Sequence, residues 1–108
     1  MTVVSADPYK GQTFCVSFDN GKKIYLHADI ITRFNITKGV SITNEELLGI
    51  IRAAMLRKAR ERALYLIDYR EHSYLELLEK LQKNYDDDIC FEVLDELASK
   101  GIINDRRY

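Results

Sequence analysis

From Ile50 to Lys100 the chain contains neither glycine nor proline. Nothing in that stretch breaks a helix locally, so helix ends there are set by capping signals. Thr43-Asn-Glu-Glu46 has the form of a capping box: a hydroxyl at the N-cap and a carboxylate three residues on. Leu47, Ile51, Ala54, Met55, Ala59, Ala63, Leu66 and Ile67 follow at spacings of three and four. That spacing predicts one apolar stripe along a helix reaching about Arg70. Ser73-Tyr-Leu-Glu76 repeats the box and opens a second helix, with Leu77, Leu78 and Leu81 facing inward and a stop at Asn84-Tyr85. Asp86, Asp87 and Asp88 open a third, where acidic side chains are expected to cap free N–H groups. Its apolar face is Ile89, Val93, Leu94 and Leu97, and Lys100-Gly101 ends it.

The first third reads differently. Thr13–Phe18 alternates, with Phe14, Val16 and Phe18 on one face, and Lys23–Ala28 alternates with Ile24, Leu26 and Ala28. Asp19-Asn20-Gly21 between them tolerates positive φ, as a tight hairpin requires. Thr2–Ser5 adds a third strand, which Pro8 confines to an edge. Asp29 is placed to cap a short helix through Ile30, Ile31 and Phe34, with Asn35 as a left-handed stop and Lys38-Gly39 as a turn. An isolated hairpin is marginal in water, so the long helix is expected to cover the sheet with its N-terminal half. The fold class is therefore α+β, mostly α. A small antiparallel β-rich part, residues 1–42, leads into a helical part, residues 43–108.

Composition excludes several classes. No run approaches the ~18 apolar residues of a membrane span, and the first ten residues lack the basic-then-apolar pattern of a secretory signal. The expected address is cytoplasmic, with Cys15 and Cys90 reduced. His27 and His72 have no second ligand or nucleophile near them in sequence, so neither a metal, a cofactor nor catalysis is expected. Net charge is −1, but five cations and one anion lie between Arg52 and Arg62. Such a bipolar chain suits polar contact with a charged partner.

The order Ala63-Leu64, Arg70, Ser73, Glu76-Leu77, Leu81, Val93-Leu94-Asp95-Glu96-Leu97, Gly101, Ile102-Ile103, Asp105 and Tyr108 resembles the first three-helix repeat of the RecX family. The preceding hairpin, short helix, Lys-Gly turn and long helix are similar to members from Gram-positive bacteria. Arg33-Phe34-Asn35-Ile36 stands where that family carries a Lys/Arg-Phe-Gly-Leu segment. Asparagine also visits the left-handed region. The resemblance implies a non-enzymatic regulator that binds the RecA filament on single-stranded DNA and restrains its recombinase and co-protease activities. Family members carry two further repeats. A helix start signal at Asn104 or Asp105 with only three residues after it predicts that this chain is a piece of a longer one. Apolar Ile102 and Ile103 beside that end predict self-association.

The residues expected to carry partner or DNA contact are Arg52, Arg57, Lys58, Arg60, Arg62, Arg70, Lys80 and Lys83. On a helix, Arg52, Lys58 and Arg62 point away from the stripe while Arg57 and Arg60 flank it. Arg70 closes a helix end, within reach of a third-helix carboxylate such as Asp95 or Glu96. Weak, salt-sensitive, non-specific DNA contact is the accompanying expectation. One rival reading is a stand-alone helical DNA-binding module; the acidic third helix argues against it, because it would repel phosphates. Another is an interaction adaptor unrelated to recombination.

Overall fold

The structure, a computed structural model, describes residues 1–103. The expected helix start at Asn104 or Asp105 lies outside the described residues. Two compact units divide the chain, Met1–Ala54 and Met55 onward. No helix among the described residues is long and apolar enough to cross a membrane.

The first unit holds an antiparallel sheet in the order β1 (Val3–Lys10), β2 (Thr13–Phe18), β3 (Lys23–His27). β1 is longer than the Thr2–Ser5 strand expected from sequence, because it runs on through Pro8. An edge strand can do this: Pro8 lies opposite Phe14 on β2, and among the described residues the other side of β1 has no strand to which a proline N–H would be owed. The β2–β3 turn has the anticipated form, with Gly21 at φ 85° and its N–H donating to the Phe18 carbonyl at 3.0 Å.

Alternation then sends Val16, Phe18 and Leu26 inward, where they pack with Val3, Ile30, Ile36, Ile42 and Ile50. Helix α1 (Ala28–Arg33) starts two residues earlier than expected. Its N-cap is His27, whose Nδ1 accepts from the Asp29 N–H at 3.0 Å, so Asp29 is a first-turn residue and not the cap. Asn35 does stop the helix in the left-handed region, at φ 53°.

Helix α2 (Asn44–Tyr69) opens with its capping box complete: the Glu46 N–H donates to Thr43 Oγ1 at 3.1 Å, and the Thr43 N–H to Glu46 Oε1 at 3.0 Å. The single stripe predicted along it is not what the fold buries. Ile51 and Met55 are exposed, while Ile50 and Ala53 are buried with the sheet. Ala59, Ala63 and Leu66 are buried in the second unit's core. The first and last turns of α2 serve separate cores, so one face need not stay apolar throughout.

In the second unit, helices α3 (Tyr74–Gln82) and α4 (Asp87–Ser99) close on the end of α2. Tyr74, Leu77, Leu81, Cys90, Val93 and Leu94 are each no more than 1% exposed. Ser73 caps α3 in a second complete box. The N-cap of α4 is Asp86, but its side chain makes no capping bond, contrary to expectation. Asp87 instead accepts from Gln82 Nε2 at 3.1 Å, a bond between α3 and α4. Gly101, at φ 76°, ends α4: its N–H donates to Ala98 and the Ile102 N–H to Leu97, the paired bonds of a Schellman stop. That turn carries Ile103 back into the core, 3% exposed, so of the expected sticky pair only Ile102 faces solvent.

The α3 box gives a first expected result. Ser73→Ala removes the acceptor for the Glu76 N–H, and urea unfolding should show a loss of about 1 kcal/mol. No change in the midpoint would mean that water replaces the hydroxyl without cost.

Candidate partner-binding surface

The basic run does not form one free surface. Arg60 donates through Nε and Nη2 to both carboxylate oxygens of Glu96, at 2.9 and 3.0 Å, tying α2 to α4. Arg57 pairs with Glu61 one turn on, at 2.9 Å. Arg62 lies over the Tyr65 ring, 5.2 Å from its centre. Lys58 is exposed and has no ion pair among the described residues. Arg52 is exposed on the part of α2 that belongs to the first unit.

Three of the other predicted cations do come together. Arg70, Lys80 and Lys83 line an open groove of about 280 Å³ with Glu76 and Glu79. Arg70 is held at its mouth: Nη1 donates to the Glu71 carbonyl at 2.8 Å and Nη2 to Glu76 Oε2 at 3.2 Å. It does not reach Asp95 or Glu96, which are engaged elsewhere. Asp95 accepts a 2.6 Å bond from the Tyr74 hydroxyl, and Glu96 holds Arg60. Glu76 is itself fixed, because its Oε1 accepts the Ser73 N–H in the capping box. That backbone bond, with the Arg70 guanidinium beside it, holds the Glu76 carboxyl below the usual glutamate range.

The paired Arg70 and Glu76 thus share the groove with Lys80 and Lys83. Lys80 in the last turn of α3 and Lys83 at its C-cap have no ion pair among the described residues. Such an arrangement suits a carboxylate or a phosphate.

His72, 8% exposed, places Nδ1 2.8 Å from the Arg70 carbonyl, where it fixes the α2–α3 bend. Among the described residues no group of three His, Cys, Asp or Glu is placed to hold a metal. Cys90 is buried in the helical core and Cys15 half-buried in the sheet, both as free thiols. Sequence reasoning missed the Arg60–Glu96 and Tyr74–Asp95 pairs. Their partners stand 36 and 21 residues apart, and no local pattern connects them.

Arg60 also makes Glu96 acid-sensitive. The hydrogen bonds from Arg60 depress the Glu96 carboxyl, as the capping boxes depress Glu46 and Glu76. A carboxylate depressed in the fold adds stability above its unfolded pKa and loses it as pH falls through the folded value. Thermal midpoints should therefore drop as pH is lowered from about 5. Glu96→Gln should flatten that drop; an unchanged slope would show that the pair carries no linkage.

A small antiparallel sheet followed by one long helix and a compact trio of helices, with a cation-lined groove on that trio, defines an α+β class of protein. Residues 59–97 match the family model described as RecX, first three-helix domain. The chain belongs to the RecX family. It is 32% identical over 100 residues to regulatory protein RecX of Streptococcus sanguinis (strain SK36), covering 92% of this chain and 39% of that protein. It is 34% identical over 82 residues to regulatory protein RecX of Clostridioides difficile (strain 630), covering 76% of this chain and 39% of that protein. A crystal structure of regulatory protein RecX superposes with a TM-score of 0.73 at 16% identity, over 94% of this chain and 51% of that one, which shows the shared fold. The chain spans about two fifths of the length of these curated relatives.

Proposed function

We propose that this chain regulates the RecA recombinase without chemistry of its own, by binding the RecA filament on single-stranded DNA and restraining it. The observation that carries the reading is the groove of the three-helix unit, where Lys80 and Lys83 line one surface with Arg70 inside the segment shared with RecX proteins. Arg70, Lys80 and Lys83 are the proposed first contacts. Lys58 and Arg62, both exposed on α2, are the proposed secondary contacts. Their partner is an acidic patch of RecA, with DNA phosphate as a weaker second contact. The acidic start of α4, Asp86–Asp88, disfavours wholesale docking on DNA.

The test is RecA ATPase on single-stranded DNA with increasing amounts of this chain. The rate is expected to fall saturably, at salt where the chain alone does not hold DNA. An ATPase indifferent to the chain at every ratio would overturn the reading. DNA binding that is as tight without RecA as with it, together with an unchanged ATPase, would favour the DNA-binding module instead.

A further inference from the structure

The solvent face of the small sheet carries two exposed tyrosines. Tyr9 on β1 is 63% exposed and Tyr25 on β3 48% exposed, with ring centres 4.7 Å apart and planes tilted by 53°. An ordinary stabilising pair joins adjacent strands. These two rings sit on the outer strands and meet across β2, over Cys15, which is the residue opposite Tyr25.

The backbone is built to allow it. Pro8 pairs with Phe14 and Lys10 with Thr13, which leaves Tyr9 as the extra residue of a bulge. Bulges re-aim a side chain out of the ladder's order. Tilted rings do not cover each other, so each keeps a face open to solvent, as their exposure requires. Lys10 stands at the β1–β2 end of the sheet, and Lys23, with Lys22 in the turn before it, at the β2–β3 end. All three are exposed and have no ion pair among the described residues.

We propose that this face is a stacking surface for single-stranded nucleic acid, with Tyr9 and Tyr25 contacting bases and Lys10, Lys22 and Lys23 contacting phosphates. Bases in a duplex keep their faces covered, whereas those of a single strand lie open to aromatic rings. Phosphate attraction alone would need only the lysines, and a hydrophobic protein partner would need none of them. Asp7, in register with Cys15 and Tyr25, is an exposed carboxylate on the same face; open rings with three lysines against that one anion favour a nucleic acid strand. The site lies in the first unit and stands apart from the groove of the helical trio.

The test is fluorescence anisotropy of the full chain with a labelled oligo(dT) about 15 nucleotides long, at low salt. Saturable binding is expected, with oligo(rU) within a few fold, because the rings read base faces and not sugars. An abasic strand of the same length should bind roughly tenfold more weakly. Tyr25→Ala should lose about as much, while Tyr25→Phe, which keeps the ring, binds as the unaltered chain does. Circular dichroism checks the fold of both variants, and the abasic comparison needs no variant at all. Equal binding of the abasic strand, no loss in a folded Tyr25→Ala, or no saturable binding of either oligonucleotide would overturn the proposal. The last result would leave the face to a protein partner.

Discussion

Leu94→Ala is expected to unfold the helical unit at temperatures where the unaltered chain is intact. Leu94 is 0% exposed and sits among Leu77, Leu81, Val93 and Leu97 in a core built from three helices. Truncating a fully buried leucine removes its transfer free energy and leaves a cavity, together about 2–5 kcal/mol. Domains of this size are stable by only about 5–15 kcal/mol in all, so the loss consumes a large share. Two features limit relaxation around the hole. Arg60 clamps α4 to α2 through Glu96, and the Tyr74 hydroxyl ties α3 to α4 through Asp95. Helices held at such points cannot slide freely to fill the space, which places the expected loss toward the upper part of the range. Thermal unfolding followed at 222 nm checks it. A shift of only a degree or two would show that the trio is loosely packed.

The second large effect concerns the groove. Lys80→Glu with Lys83→Glu should raise the amount of chain needed to half-inhibit RecA ATPase by about tenfold or more. Neither lysine is buried or hydrogen-bonded among the described residues, so the fold should not suffer. The reversal turns a groove of three cations and two carboxylates into one dominated by negative charge around a pinned Arg70. Against an acidic partner, that converts attraction into repulsion. The effect should shrink as salt is raised, because exposed charges are screened over about 10 Å at 0.1 M. Unchanged inhibition by a folded double variant would move the contact surface elsewhere, with Lys58 and Arg62 on α2 next in line.

What the sequence disclosed follows the range of the interaction. Both capping boxes, at Thr43 and Ser73, and the stops at Asn35 and Gly101 were legible, because each is settled within a few residues. The three-helix trio followed from them, and so did its resemblance to RecX. The stripe of α2 misled because the helix contributes to two cores, and a periodicity count over its whole length merges their separate demands. β1 was cut short in the reading because Asp7 and Pro8 look like a turn, yet an edge position tolerates both. At the candidate site, residue type was visible and engagement was not. Arg57 and Arg60 read as contact residues like Lys80 and Lys83, but folding delivers carboxylates to the first two and none to the others. Only the tertiary fold brings Arg70 into one groove with Lys80 and Lys83.

The claim on which the account rests is that the three-helix unit docks on assembled RecA through that groove. Sedimentation of preformed RecA filaments, held on single-stranded DNA by a non-hydrolysable ATP analogue, measures this directly. The chain is predicted to pellet with the filaments to a saturable stoichiometry, and Lys80→Glu/Lys83→Glu to remain in the supernatant. A chain that stays in solution beside intact filaments, or a double variant that pellets as fully as the unaltered protein, would contradict it.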